Sequence, residues 1–453
     1  MSSDREAVNG KLRPSAGAGL SASPPHDAPC GAEPAGRWTP RSIYTLSFLT
    51  VIYAFNTADR NMFGLLMPLI KSDMRLSDTM LGFMSGAAFA LFYAIAGVPV
   101  ARLADRWSRR NIIAIGFTIW SLMTIWTGFA KSTLELVVAR FLLGAGEAGG
   151  LAPSNSMIGD LFEKTRRTLA LSILQTANAI GILVGFPIIG WIARLHGWRT
   201  AFVCAGLPGL LLAAIFFFTV REPRHGEADG ASRETESVNF IETLKRLLAS
   251  RSYVLVVLAS MLVAVTLFGV QAWLPTFLTR VHHLNSQEIG AAVGLFRGPA
   301  GILGAIVGGL TSSTLGRRDE RWLVWTPAAF IFLIGASDFL MLYSSSEWGW
   351  KAGMALDIFF SSAQVGPVFA LLLSAADARS RAIATALSLL ATHLFGLAGG
   401  PLVVGMLNDL LHPAFGDGAI RYSITAASCA AIIGSFICLA AGRRRKLTDT
   451  RQS

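Results

Sequence analysis

Apolar residues gather in twelve long segments, at about 43–70, 79–102, 111–130, 133–160, 166–194, 199–220, 252–281, 286–315, 322–344, 350–376, 379–408 and 420–442. Each is long enough for a membrane-spanning helix, which needs roughly 20 residues. The runs are continuous. A membrane β-barrel, whose strands are short and apolar at every second position, is therefore excluded. The pattern predicts an all-α membrane protein with twelve transmembrane helices. Residues 1–42, rich in Ser, Ala, Pro and Gly, are expected to form a disordered tail. They do not read as a signal peptide, because no short apolar core with a cleavage site follows the basic residues. One long polar loop, 221–251, divides the chain into two sets of six segments, 43–220 and 252–442, and a basic tail closes it at 443–453. Within the loop, Phe240-Ile241-Glu242-Thr243-Leu244-Lys245-Arg246-Leu247-Leu248 has the spacing of a short amphipathic helix lying on a membrane face.

Charge sets the orientation. The two tails and the even-numbered loops hold 28 Lys and Arg residues against 8 in the odd-numbered loops. The positive-inside rule places both termini in the cytoplasm, in a multi-pass protein of the inner membrane. The net charge of +11 is spread between apolar segments in this way, so it does not point to nucleic acid. Charged residues make up only 15% of the chain and mean hydropathy is +0.52, far from a soluble domain. The cysteines Cys30, Cys204, Cys429 and Cys438 show neither metal-ligand spacing nor a paired framework. No metal or cofactor is expected.

The halves repeat weakly. Pro153, Arg167, Ala170, Gly185 and Pro187 recur 214 residues later as Pro367, Arg381, Ala384, Gly399 and Pro401. Leu76 and Gly82 recur 208 residues later as Leu284 and Gly290. Two related halves with substrate held between them is a transporter design. Gly185, Pro187, Gly399 and Pro401 are candidate packing and hinge positions.

Against this apolar background a few charges stand out. Asp59 and Arg60, in Thr57-Ala58-Asp59-Arg60-Asn61, fall near the middle of segment 1. A charge at that depth costs at least ~2.5 kcal/mol, so it faces the bundle interior and finds a partner. In segment 4, Arg140 and Glu147 are seven residues apart, two helical turns, and project from one face. Counted from the cytoplasmic ends, the Asp59 level falls between theirs. Four charges meet at one depth if the two helices are neighbours. Arg297 in segment 8 offers a third candidate anion ligand, with a snorkelling position near the surface as the alternative. Asp357 and His393 are further polar positions in the second half. Gly144-x-Gly146-x-x-Gly149 matches a dinucleotide fingerprint, but no strand precedes it, and small residues serve close helix packing there.

The first cytoplasmic loop, Gly97-Val98-Pro99-Val100-Ala101-Arg102-Leu103-Ala104-Asp105-Arg106-Trp107-Ser108-Arg109-Arg110, resembles the signature of the major facilitator superfamily. Asp105, Arg106, Arg109 and Arg110 are accordingly the candidate cytoplasmic gate. Its second-half counterpart has Ser313 where the acid would stand. The Asp59-Arg60-Asn61 stretch, with Arg140, Gly144-Ala145-Gly146-Glu147-Ala148 and Pro153-Ser154, is similar to the spinster family. That resemblance implies the major facilitator fold of two pseudo-symmetric six-helix bundles. It also implies a proton-coupled carrier of an anionic amphiphile such as a lysolipid or sphingoid compound. Asp59 and Glu147 would couple protons, and Arg60, Arg140 and Arg297 would bind substrate. A permease for a small organic acid is the alternative. A lipid enzyme would need a nucleophile or metal cluster, and none is legible. The expected partners are membrane lipids, the solute and protons. A monomer is expected.

Overall fold

The computed structural model describes residues 38–104, 106–223, 240–319, 321–377 and 380–449. Most of the expected tail therefore lies outside the described residues, and its last part is helical. Helix α1 (Pro40–Met74) starts where Thr39 and Ser42 form a reciprocal capping box ahead of Pro40. Helices α2 (Asp78–Gly82) and α3 (Ala88–Ala104) run through a π-turn at Phe83–Ala87. Ser108 and Ser132 cap α4 (Arg109–Phe129) and α5 (Thr133–Glu147). Helix α6 (Leu151–Leu161) follows a break at Ala148-Gly149-Gly150. Helices α7 (Lys164–Ile180) and α8 (Phe186–Thr219) flank a second π-turn, Gly181–Gly185. Gly197, at φ +82°, turns the chain inside α8. Only glycine takes that conformation without strain.

The second half repeats this plan. After α9 (Phe240–Ala249) come α10 (Arg251–His282), α11 (Ser286–Ala292), a π-turn at Val293–Arg297 and α12 (Gly298–Arg318). Then follow α13 (Trp322–Tyr343), α14 (Glu347–Ala363), α15 (Val365–Ser374) and α16 (Arg381–Thr392). A π-turn at His393–Ala398 leads into α17 (Gly399–Phe415) and α18 (Ala419–Asp449). Among the described residues, eight helical runs are long and apolar enough to cross a membrane. Two of these, Arg166–Thr219 and Ile383–Ala441, have 54 and 59 residues. At about 1.5 Å per residue that is near twice a bilayer thickness. Each contains a positive-φ glycine, Gly197 or Gly416, where the chain turns back.

The amphipathic segment forms as expected, but it is not purely a membrane-surface helix. Leu247 of α9 is buried in an apolar cluster with Tyr253, Val256 and Ala384, whereas Ile241 and Leu248 stay exposed.

The core is shared at one end of the molecule and divided at the other. Met62, Phe63, Leu66 and Met67 of α1 join Trp273, Leu274 and Phe277 of α10 in one apolar cluster. At the opposite end the clusters are largely separate: one, around Phe117, Phe162 and Phe216, takes in Leu397 from the second half, with Phe268 and Ala398 against it, and the other gathers around Tyr253, Val324 and Leu371. Close backbone crossings reinforce the shared end. A Cβ on Gly82 would lie 2.4 Å from the Pro401 carbonyl oxygen, and one on Gly290 would lie 2.3 Å from that of Phe186. An ion network lies beside them. Arg280 of α10 donates to both oxygens of Asp78, at 2.6 and 2.7 Å, and Lys71 adds a contact at 2.5 Å. Asp409 of α17 accepts the Asp78 and Thr79 backbone N–H groups at 3.0 and 2.7 Å, capping α2 from the other half. The molecule is thus closed at its Asp78 end and splayed at its Arg109 end.

Candidate functional site

Glu147 is the last residue of α5, where the glycine-rich stretch interrupts the helix, and its side chain is fully buried. Arg60 reaches it from α1. The guanidinium Nε and Nη2 both donate to Glu147 Oε2, at 3.1 and 2.5 Å. Nη2 also donates to Asn56 Oδ1, one turn back, at 3.2 Å. The Arg60 guanidinium lies 5.2 and 6.0 Å from the ring centres of Phe89 and Tyr93. Unlike Glu147, the Arg60 side chain keeps 30% of its surface exposed. A narrow cavity of about 20 Å³ is bounded by Tyr53, Asn56, Arg60, Tyr93, Trp120 and Glu147 together with leucines and isoleucines.

Asp59, one residue earlier, points from a different face of α1. It accepts from Trp120 Nε1 at 2.6 Å and from Thr124 Oγ1 at 3.0 Å, both on α4. Among the described residues it forms no ion pair. Arg60 is held by Glu147, and Asp59 by an indole and a hydroxyl. Arg140 is also buried. It sits 4.3 Å from the ring centre of Phe63, donates from Nε to the Met84 carbonyl at 3.4 Å, and leaves Nη1 without a partner. Glu147 therefore anchors Arg60, not Arg140. Its second oxygen, Oε1, is buried and unpartnered. The second half reaches this level through Gln271, whose amide donates to Asn61 Oδ1 at 2.6 Å.

The remaining candidates lie elsewhere. Arg297 is 6% exposed, not snorkelling, and sits 3.1 Å from Asp357 on α14. His393 bonds the Leu389 carbonyl at 2.8 Å and faces Phe268. Pro187 lies against Gly294 and Pro401 against Gly86, so both prolines sit where the halves cross. Gly185 abuts Ala58, whereas Gly399 faces open space and has no packing requirement.

Asp105 lies outside the described residues, and Arg106 is exposed. Arg109 is fully buried. It binds Asp160 and donates to Glu222 Oε1 at 2.8 Å, Ser156 at 3.2 Å and the Pro223 carbonyl at 3.0 Å. Glu222 also accepts the Arg110 N–H at 2.7 Å and the Ser108 hydroxyl at 2.9 Å. Every one of these partners lies in residues 108–223, so among the described residues these contacts brace one half. Burial alone would raise the Glu222 carboxyl. The Arg110 N–H, the Arg109 guanidinium and the Ser108 hydroxyl outweigh it and hold that carboxyl below the usual glutamate value.

Comparison with known proteins agrees with this architecture. The sequence profile of the Major Facilitator Superfamily matches residues 49–401. This chain belongs to the Major Facilitator Superfamily. As a member of that superfamily it is an integral, multi-pass membrane transporter. Its sequence is 28% identical to an MFS-type efflux pump of Mycolicibacterium smegmatis, over 91% of this chain and 96% of the pump. It is 26% identical to the probable galactarate/D-glucarate transporter GudP of Bacillus subtilis, over 72% of this chain and 77% of GudP. It is also 26% identical to the sphingosine-1-phosphate transporter SPNS2 of Danio rerio, over 78% and 73%. The fold is similar to the crystal structure of a bacterial homolog of the human lysosomal transporter spinster, inward-facing and unoccupied. There the TM-score is 0.79 at 25% identity, over 90% of this chain and 98% of that one.

Four contributors were not among the sequence candidates. Trp120 and Thr124 act through tertiary proximity, which one sequence does not reveal. Asp78 sits at a helix start and reads as an ordinary first-turn acid. Asp338, a lone acid inside an apolar span, carries the same signal that singles out Asp59.

Proposed function

We propose that this superfamily member is a proton-coupled, alternating-access carrier of an anionic amphiphile of lysolipid or sphingoid type. In this reading twelve helices span the inner membrane as two six-helix bundles. Both termini are cytoplasmic, the Arg109 end faces the cytoplasm, and the working unit is a monomer. One observation carries the proposal. Arg60 is a partly exposed cation on an aromatic floor, and its only carboxylate partner among the described residues is the buried Glu147.

The coupling follows from that pairing. A substrate anion entering the cavity competes with Glu147 for the Arg60 fork. Once displaced, Glu147 is a buried carboxylate without a cation, which is strongly unfavourable until it takes a proton. Binding of anion and proton therefore reinforce each other. Asp59, held by Trp120 and Thr124, is the second exchange site and senses the charge state of its neighbours. Arg140 remains as a fixed buried positive charge that favours an anion nearby. The tyrosine, phenylalanine, leucine and isoleucine walls accept an acyl chain.

The second reading, a permease for a small organic acid, is supported by the likeness to GudP and by the same Arg60 fork. Thermal-shift measurements on the purified protein separate the two. Lysophospholipid is expected to raise the melting temperature in the wild type and not in Arg60→Ala, with galactarate inert. Stabilisation by galactarate alone would replace the amphiphile with a sugar acid. No Arg60-dependent stabilisation by either would remove the site from substrate binding.

A further inference from the structure

The second half holds a buried charge cluster that the reading above does not use. Asp338 of α13 is 0% exposed, Asp357 of α14 is 2% exposed, and Arg297 from the Val293–Arg297 π-turn is 6% exposed. Asp338 Oδ2 accepts from Ser428 Oγ of α18 at 2.7 Å. Asp357 Oδ1 accepts from Ser361 Oγ at 3.3 Å, and its Oδ2 lies 3.1 Å from Arg297 Nη2. The two acids sit at one level of neighbouring helices, because α13 and α14 cross closely about one turn from each: a Cβ on Gly353 would lie 2.4 Å from the Met341 backbone nitrogen. Asp338 Oδ1 remains buried with no partner, and Asp357 Oδ2 has the Arg297 ion pair but no well-aligned hydrogen bond.

Charge counting and hydrogen-bond counting lead to the same conclusion. Two bare carboxylates against one guanidinium leave a net negative charge in the interior of a membrane bundle, where an uncompensated charge is expensive. Carboxylates are acceptors only, so neither can satisfy the other until one is protonated. Two carboxyls that share a site hold one proton between them. Other charges are too few or too far to substitute. Arg421 of α18 lies over Tyr343, and Lys351 of α14 packs on Phe296, Trp348 and Trp350. His282 of α10 packs on Phe277 and Trp350, one to two turns from the pair.

We propose that Asp338 and Asp357 form a proton-binding site, one proton shared across the carboxyl pair and balanced by Arg297. The site is separate from Asp59 and Glu147 and does not depend on what the chain carries. Its position gives it leverage. Arg297 belongs to the π-turn that packs against the Gly181–Gly185 π-turn of the first half. Proton loss tightens the pull of two carboxylates on Arg297, so the site links proton occupancy to the surface where the halves move.

Infrared spectroscopy of the full chain in lipid vesicles tests this, using Asp59→Asn as the background so that Asp59 makes no contribution. A carboxylic acid carbonyl band is expected at pH 7. It should shift when aspartate is labelled with 13C at the side-chain carboxyl, and be lost in both Asp338→Asn and Asp357→Asn. The labelled parent protein alone suffices if a variant does not fold. Absence of an aspartic acid band from it at neutral pH would overturn the proposal. So would a band that survives both substitutions. Stabilisation by sodium over choline with no acid band would overturn it too, and would assign the pair to a metal cation.

Discussion

Single residues decide what each charge can do. Arg109 illustrates the bracing role, since it is wholly buried and ends on two carboxylates. Removing one partner of a buried pair costs about 3–5 kcal/mol. Arg109→Ala is therefore expected to lower the melting temperature sharply, with Arg106→Ala, at an exposed position, as the near-neutral control. Glu222 adds a pH signature. Its carboxyl is held below the usual value in the folded chain, so its contribution is complete above the unfolded-state value of about 4.3 and is lost as pH falls through the lower, folded one. The stability difference between wild type and Glu222→Gln should be constant near neutrality and shrink below about pH 4, a comparison that a pH series of melting curves makes directly. The charged residues of the candidate site were legible because a charge inside an apolar run is conspicuous. Their pairing was not. Arg60 follows Asp59 in the chain, but the two side chains lie about 100° apart around the helix and meet different neighbours.

Elements show why the halves were recognisable in the sequence. The apolar runs place most helix ends within a few residues, but α17 and α18 run on to Phe415 and Asp449, past the expected 408 and 442, and the break between segments 5 and 6 falls at Gly197, where the backbone needs a positive φ. The π-turns were not legible. They occur at Phe83–Ala87 and Gly181–Gly185 and again 210 and 212 residues later, at Val293–Arg297 and His393–Ala398. A π-turn inserts one residue and shifts the helical phase, but in a run that is apolar on nearly every face that shift leaves no mark in the sequence. All four flank the cross-half contacts, which gives the Gly82 and Gly290 repeat its physical meaning. Each lets a helix approach a carbonyl oxygen of the opposite half. Gly290→Ala and Gly82→Ala are each expected to destabilise the protein by about 1–3 kcal/mol, because the obstacle is backbone and does not yield. Gly399→Ala, in open space, should be silent in the same melting assay.

The whole molecule stores its conformational bias at the Asp78 end. A shared apolar cluster, two backbone crossings and the Asp78–Arg280 fork all hold that end shut, while largely separate cores, joined through Leu397, leave the other end freer to splay. Asp78→Asn weakens the fork and the Lys71 contact together. Spin-label distances between the halves should widen at the Asp78 end and shorten at the Arg109 end. An unchanged distribution would mean that the apolar cluster alone sets the resting state. Alternating access is in this view a competition between two ends, biased by charges buried midway.

The most direct measurement of that central claim is anion accumulation driven by a pH gradient in proteoliposomes, using whichever anion stabilises the purified protein through Arg60. Wild type is expected to accumulate it and to stop when a protonophore is added. Asp59→Asn and Glu147→Gln should keep gradient-free counterflow and lose accumulation. Accumulation by both variants at the wild-type level, still abolished by the protonophore, would contradict the account.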